Sequence, residues 1–192
     1  MLWNTVYGYG TVSRLFHWVI GLMIIAQLAV GFWMVGLPNE VKGAIYANHK
    51  IGGLLVLFLV LFRLVWRWVN VLPNLPEKTP KWQIFAARSL HRFFYVLMLF
   101  IPISGWVMST ASGFFPKIGG VVLMFPWVSA PELCILGTCY TNSMIAVSSN
   151  TIHCVLGLVL VGALCIHTSI AVWHAYLADG VFSRIVIDKT QS

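Results

Sequence analysis

Residues 152–176, IHCVLGLVLVGALCIHTSIAVWHAY, decide the fold. The run contains no Asp, Glu, Lys or Arg and exceeds the roughly 20 helical residues that cross a hydrocarbon core. Lipid offers no water to open backbone groups, so such a run must be helical. Histidines interrupt it. His153 and His167 stand fourteen residues apart, which at 3.6 residues per turn returns to nearly the same face. At about 1.5 Å per residue they are separated by roughly 21 Å along the axis. One sits near the outer surface and the other in the inner half.

Three more stretches match it, at residues 15–37, 48–69 and 90–110. Arg63 and Arg67 fall near the far end of the second, where long basic side chains snorkel to the interface. The composition agrees: 59 % of the residues are hydrophobic and 9 % charged, against about a quarter charged in a soluble domain. The expectation is an all-α membrane protein, a four-helix transmembrane bundle forming one domain over residues 1–192. The first run is too long for a signal core and is read as a retained helix. Residues 36–47 read as a short turn, 70–89 as a polar connection with Pro73, Pro76 and Pro80, and 111–151 as the longest linker.

The net charge of +7 is no nucleic-acid signature, because the basic residues flank apolar runs. Arg14, Arg63, Arg67, Lys78, Lys81, Arg88, Arg92, Arg184 and Lys189 fall on one side of the four spans, and Lys42, Lys50 and Lys117 on the other. The positive-inside rule then places both termini in the cytoplasm. Trp66, Trp68, Trp82, Trp127 and Trp173 lie near span ends or in linkers, as aromatic belts do. The chain has no GxGxxG turn, phosphate loop or CxxC pair.

Ionisable groups inside a membrane are expensive and are functional candidates by default. His17 opens the first span from the inner side and shares the depth of His167. His49 opens the second from the outer side and shares the depth of His153. Two imidazoles leave a zinc site short of its usual four ligands, and no span supplies a carboxylate. Haem brings four nitrogens of its own and needs two axial ligands. The expectation is therefore two haem groups, with Gly52, Gly53, Gly105 and Gly157 as places where a flat macrocycle or another helix approaches the backbone.

The motifs Phe16-His17-Trp18, Asn48-His49-Lys50-Ile51-Gly52, the third helix with His91, Pro102 and Gly105, and the fourth with His153, His167 and His174 together resemble the prokaryotic cytochrome b561 family. The resemblance covers nearly the whole chain. It implies two haem b, one on His17 and His167 and the other on His49 and His153, in a bacterial inner membrane. The long 111–151 connection departs most from shorter members.

Iron held by two histidines has no open position for oxygen or peroxide, so single-electron transfer is the expected chemistry. The resemblance implies superoxide oxidation at the outer face with ubiquinone reduced in the membrane. Two alternatives stand: an electron-transfer subunit serving a hydrogenase or dehydrogenase partner, and a haem-free transporter. The second suffers from the absence of acidic residues in the spans. His91 and His174, with Arg14, Arg88 and Arg92, form a candidate quinone or propionate site, and Arg63 is a candidate propionate partner. Lys42, Lys50 and Lys117 are candidates for steering an anion. Cys134 and Cys139 are candidates for a disulfide across a tight loop, whereas Cys154 and Cys165 read as small packing residues.

Overall fold

The computed structural model describes residues 1–74, 79–126, 128, 132–135 and 138–186, excepting the side chains of 132–135 and 138–141. Its long helices are α1 (Thr11–Val35), α2 (Asn39–Val69), α3 (Lys81–Ala111) and α4 (Asn142–Leu177). All four are long and apolar enough to cross a membrane. Phe32, Trp33, Phe58, Phe62, Phe100 and Ile166 turn outward and exposed, an arrangement that lipid tolerates and water does not.

The helices outrun the apolar stretches. α2 begins at Asn39, inside the expected turn; α3 begins at Lys81; α4 begins at Asn142, inside the expected linker. Hydropathy marks only where side chains meet hydrocarbon, whereas a helix satisfies its backbone equally well in the polar interface. Prolines set two of these starts. The Pro38 carbonyl accepts from the Lys42 amide at 3.1 Å, and the Pro80 carbonyl from the Ile84 amide at 3.2 Å. A residue without an N–H is well tolerated at a helix start, where that donor has no intrahelical acceptor.

The rest of the expected long linker holds two antiparallel hairpins. β1 (Lys117–Ile118) pairs with β2 (Val121–Val122) through Gly119 and Gly120. Both glycines have positive φ, 55° and 84°, which a tight two-residue hairpin turn demands. β3 (Glu132–Ile135) pairs with β4 (Thr138–Thr141), with Cys134 and Cys139 as facing partners in the register. Their side chains lie outside the described residues, as do Trp127, Lys78 and Lys189. A short α5 (Ser183–Val186) follows α4.

The chain divides into two compact units, and each long helix contributes a stretch to both. Unit 1 comprises residues 1–22, 59–96 and 160–192; unit 2 comprises 23–58 and 97–159. Ile20, Val60, Phe94 and Leu160 are buried in the first, and Leu54, Leu57, Leu97 and Met98 in the second. Arg14, Arg63, Arg67, Lys81, Arg88, Arg92 and Arg184 belong to unit 1, and Lys42, Lys50 and Lys117 to unit 2.

In unit 1 the first ten residues are tied down. Trp3 stacks on Trp66 at 4.7 Å between centroids, and Asn4 donates from its backbone amide to Asn70 Oδ1 and from its side chain to the Val71 carbonyl. Trp66 therefore does more than anchor at an interface: its indole N–H also donates to Ser13 Oγ at 3.0 Å.

Candidate functional site

The four histidines singled out by depth form two pairs, each inside one unit. In unit 1 the rings of His17 and His167 have centroids 6.2 Å apart. In unit 2 those of His49 and His153 are 6.1 Å apart. Two imidazoles bound to one ion from opposite sides, with bonds of about 2 Å and about 1 Å from each nitrogen to its ring centre, stand about 6 Å apart. Among the described residues no group of three or more His, Cys, Asp or Glu gathers to hold a bare ion. The donor set in each unit is two imidazoles, which suits a group that brings its own equatorial ligands.

In unit 2 the surroundings of His153 fix its tautomer. Nδ1 lies 2.9 Å from the Ile101 carbonyl, which can only accept, so the hydrogen is on Nδ1 and Nε2 keeps its lone pair. Ser104 Oγ donates to the same carbonyl at 2.7 Å and lies 3.3 Å from Nδ1. A hydrogen bond of this kind orients metal-binding histidines and raises their basicity. Gly105 makes room for this ring: a Cβ there would stand 2.9 Å from His153 Cε1. Its smallness thus serves the histidine itself. Gly52 likewise receives the Gln27 amide, while Gly53 and Gly157 have nothing within 4 Å of the Cβ position.

Unit 1 is built differently. An Arg63 guanidinium nitrogen lies 3.3 Å from His17 Nδ1. Arginine only donates, so Nδ1 accepts in this arrangement. For a neutral His17 to offer Nε2 to a metal, Arg63 has to leave Nδ1. The guanidiniums of Arg63 and Arg67 also lie 5.8 and 5.7 Å from the centre of the Tyr95 ring. His167 is flanked edge-on by His91 at 5.6 Å and Phe94 at 5.4 Å. The Ala87 carbonyl lies 2.7 Å from His91 Nδ1 and accepts its hydrogen, leaving Nε2 unprotonated.

The wider candidate cluster separates. His91 joins the His167 ring, whereas His174 turns to Asp179, Nδ1 to Oδ2 at 2.5 Å. Arg14 reaches Thr11 Oγ1 at 3.3 Å. Among the described residues, no contact links Arg88 or Arg92 to the histidine rings. Of the three outer lysines, Lys50 donates to the Phe114 carbonyl at 2.7 Å and lies over the Phe114 ring. Ser109 Oγ donates to that same carbonyl. Lys42 lies over Tyr46, 5.9 Å from its ring centre, and Lys117 is exposed in β1. Cys154 and Cys165 are exposed on α4, which corrects their reading as packing residues: the helix turns them outward.

Sequence reasoning passed over Ile101, Ser104, Phe94 and Tyr95, whose roles depend on which helices meet. It also passed over Gln27, whose position as a lone amide inside an apolar run was a usable signal.

The profile of prokaryotic cytochrome b561 matches residues 8–187. The chain belongs to the prokaryotic cytochrome b561 family. It is also 33% identical over 132 residues to the cytochrome b561 homolog 2 of Escherichia coli (strain K12), a match covering 67% of this chain and 66% of that relative. The matched chain thus spans just under two thirds of the relative's length. Cytochromes of this family are integral membrane proteins that bind haem b and carry electrons. Membership disposes of the haem-free transporter, and it agrees with the paired imidazoles and four spanning helices described above.

Proposed function

We propose that this b561-family chain holds two haem b groups and moves single electrons across a bacterial inner membrane, from superoxide at the outer face to ubiquinone within it. His17 with His167, and His49 with His153, would hold the two haem irons. The observation that carries this reading is the pair of centroid distances, 6.2 and 6.1 Å, each within one unit. Haem b supplies one-electron storage and exchange at its ring edge. Two imidazoles held on each haem would leave no position open for oxygen or peroxide, which favours electron transfer.

The remaining residues take up matching tasks. Arg63 would exchange His17 for a propionate carboxylate, a partner that its planar fork fits in two-point fashion. His91, its Nδ1 occupied by the Ala87 carbonyl, would bind and release a proton at Nε2 beside the quinone. His174 is engaged by Asp179 and is the weaker candidate. Lys42 and Lys117 would draw the anion toward unit 2, with Lys50 fixing the Phe114 peptide. The reaction balances simply: two superoxide anions lose one electron each and leave as dioxygen, while one quinone gains both electrons and two protons. Among the described residues, seven basic side chains in unit 1 against three in unit 2 support placing both termini in the cytoplasm.

The test is to supply superoxide to the purified protein with ubiquinone and no other protein. Quinol formation that slows as salt rises, and again in Lys117→Glu, is the expected result. A chain that is inert until a hydrogenase or dehydrogenase is added would replace this reading with that of a partner subunit.

A further inference from the structure

In unit 2, α1 and α2 each offer a glycine to the other's polar side chain. A Cβ on Gly52 would stand 1.7 Å from Gln27 Nε2, and one on Gly31 would stand 3.4 Å from His49 Cε1. Gln27 and Gly31 are four residues apart on α1, and His49 and Gly52 three apart on α2. The two close approaches therefore lie one turn apart along a single seam. Each polar side chain leaves one buried atom without a hydrogen-bond partner, Oε1 of Gln27 and Nδ1 of His49.

The two orphans are complementary. If His49 gives Nε2 to a metal, Nδ1 carries a hydrogen and needs an acceptor, and an amide oxygen can only accept. Among the described residues, the other unpaired buried acceptor in unit 2 is Oδ1 of Asn142, which begins α4 eleven residues before His153, about 16 Å away along the helix. Gln27 lies one turn from the glycine against which His49 rests. We propose that Gln27 is the positioning residue for His49, its Oε1 accepting the Nδ1 hydrogen directly or through one buried water. It would do for His49 what the Ile101 carbonyl does for His153. This rests on reading His49 as an axial ligand.

Such a bond makes the imidazole more basic and favours the oxidised centre. The experiment is a redox titration of the purified holoprotein, with haem counted per chain. Gln27→Met keeps the bulk and removes the acceptor. It should retain two haems and move one redox component upward by about tenfold in the reduced-to-oxidised ratio, 59 mV for one electron, leaving the other in place. Gln27→Glu, which keeps an acceptor and adds a negative charge, should move the same component downward. Two haems with both potentials unmoved in Gln27→Met overturns the proposal. Should that variant fail to accumulate, Gly52→Ala, which drives the amide from its seat, must raise the same component, and an unmoved titration there also overturns it. A wild-type protein with fewer than two haems defeats the ligand reading itself, which is a distinct result.

Discussion

The two histidine pairs share a spacing and differ in what surrounds them. The pair in unit 2 is held by neutral groups: a carbonyl and a hydroxyl at His153, and a glycine surface at His49. The pair in unit 1 lies among cations and aromatic edges, with Arg63 on His17 and with His91 and Phe94 against His167. One scaffold thus presents two imidazole pairs, one with a tautomer fixed by a carbonyl and one with a guanidinium on Nδ1. On the proposed reading, the unit 2 pair already carries its ligating tautomer at His153, whereas in unit 1 Arg63 would have to leave His17 Nδ1.

Gly105→Ala should break this contrast most forcibly. The added methyl would meet the His153 ring at 2.9 Å, and overpacking of this kind costs about 1–3 kcal/mol. Unit 2 should lose its haem while unit 1 keeps its own, read as about half the wild-type pigment. Full pigment with unchanged potentials would mean that His153 is not held by this helix face. Arg63→Leu acts on the other side and less severely. Removing a cation beside the His17 ring favours the oxidised centre, by about 1–3 kcal/mol for a charge about 6 Å away at an effective dielectric near 20. Only the unit 1 component of a redox titration should fall; equal movement of both would contradict the separation of the two environments.

The smallest effect belongs to Asp179, beyond the end of α4. Burial acts to raise its carboxyl, but hydrogen bonds from His174 and the Val181 amide, with the charge of His174, outweigh this and hold it below the usual carboxylate range. Its contribution is therefore full above the ordinary value near 3.9 and fades as pH falls through the lowered one. Asp179→Asn should reduce thermal stability slightly at neutral pH and leave it unchanged in strong acid, with haem content unaffected. A deficit that persists undiminished in acid would show that the carboxylate is not the source.

Much of this was legible from residues alone, for identifiable reasons. An apolar run of fixed length forces a helix, so the four spans could be read. Fourteen residues between His153 and His167 set a depth, so the pairs could be read as well. The helix ends could not, because backbone hydrogen bonding continues from Asn142 to Thr151 regardless of hydropathy. Nor could the tautomers: they depend on Ile101 and Arg63, which spacing along one chain does not bring to a particular ring. Lys50 looked like an exposed outer charge because sequence does not show that the turn after α3 delivers the Phe114 carbonyl to it. Gln27 shows the remaining gap: its polarity was visible, its neighbour was not.

The central claim is that each unit holds one haem between its two histidines. A dithionite-reduced minus oxidised spectrum of the detergent-purified protein, with haem counted per chain, tests it most directly when repeated on His49→Ala and His17→Ala. The account predicts b-type bands with two haems in the wild type and one in each variant. Two haems retained in both variants, or none in the wild type, would contradict it.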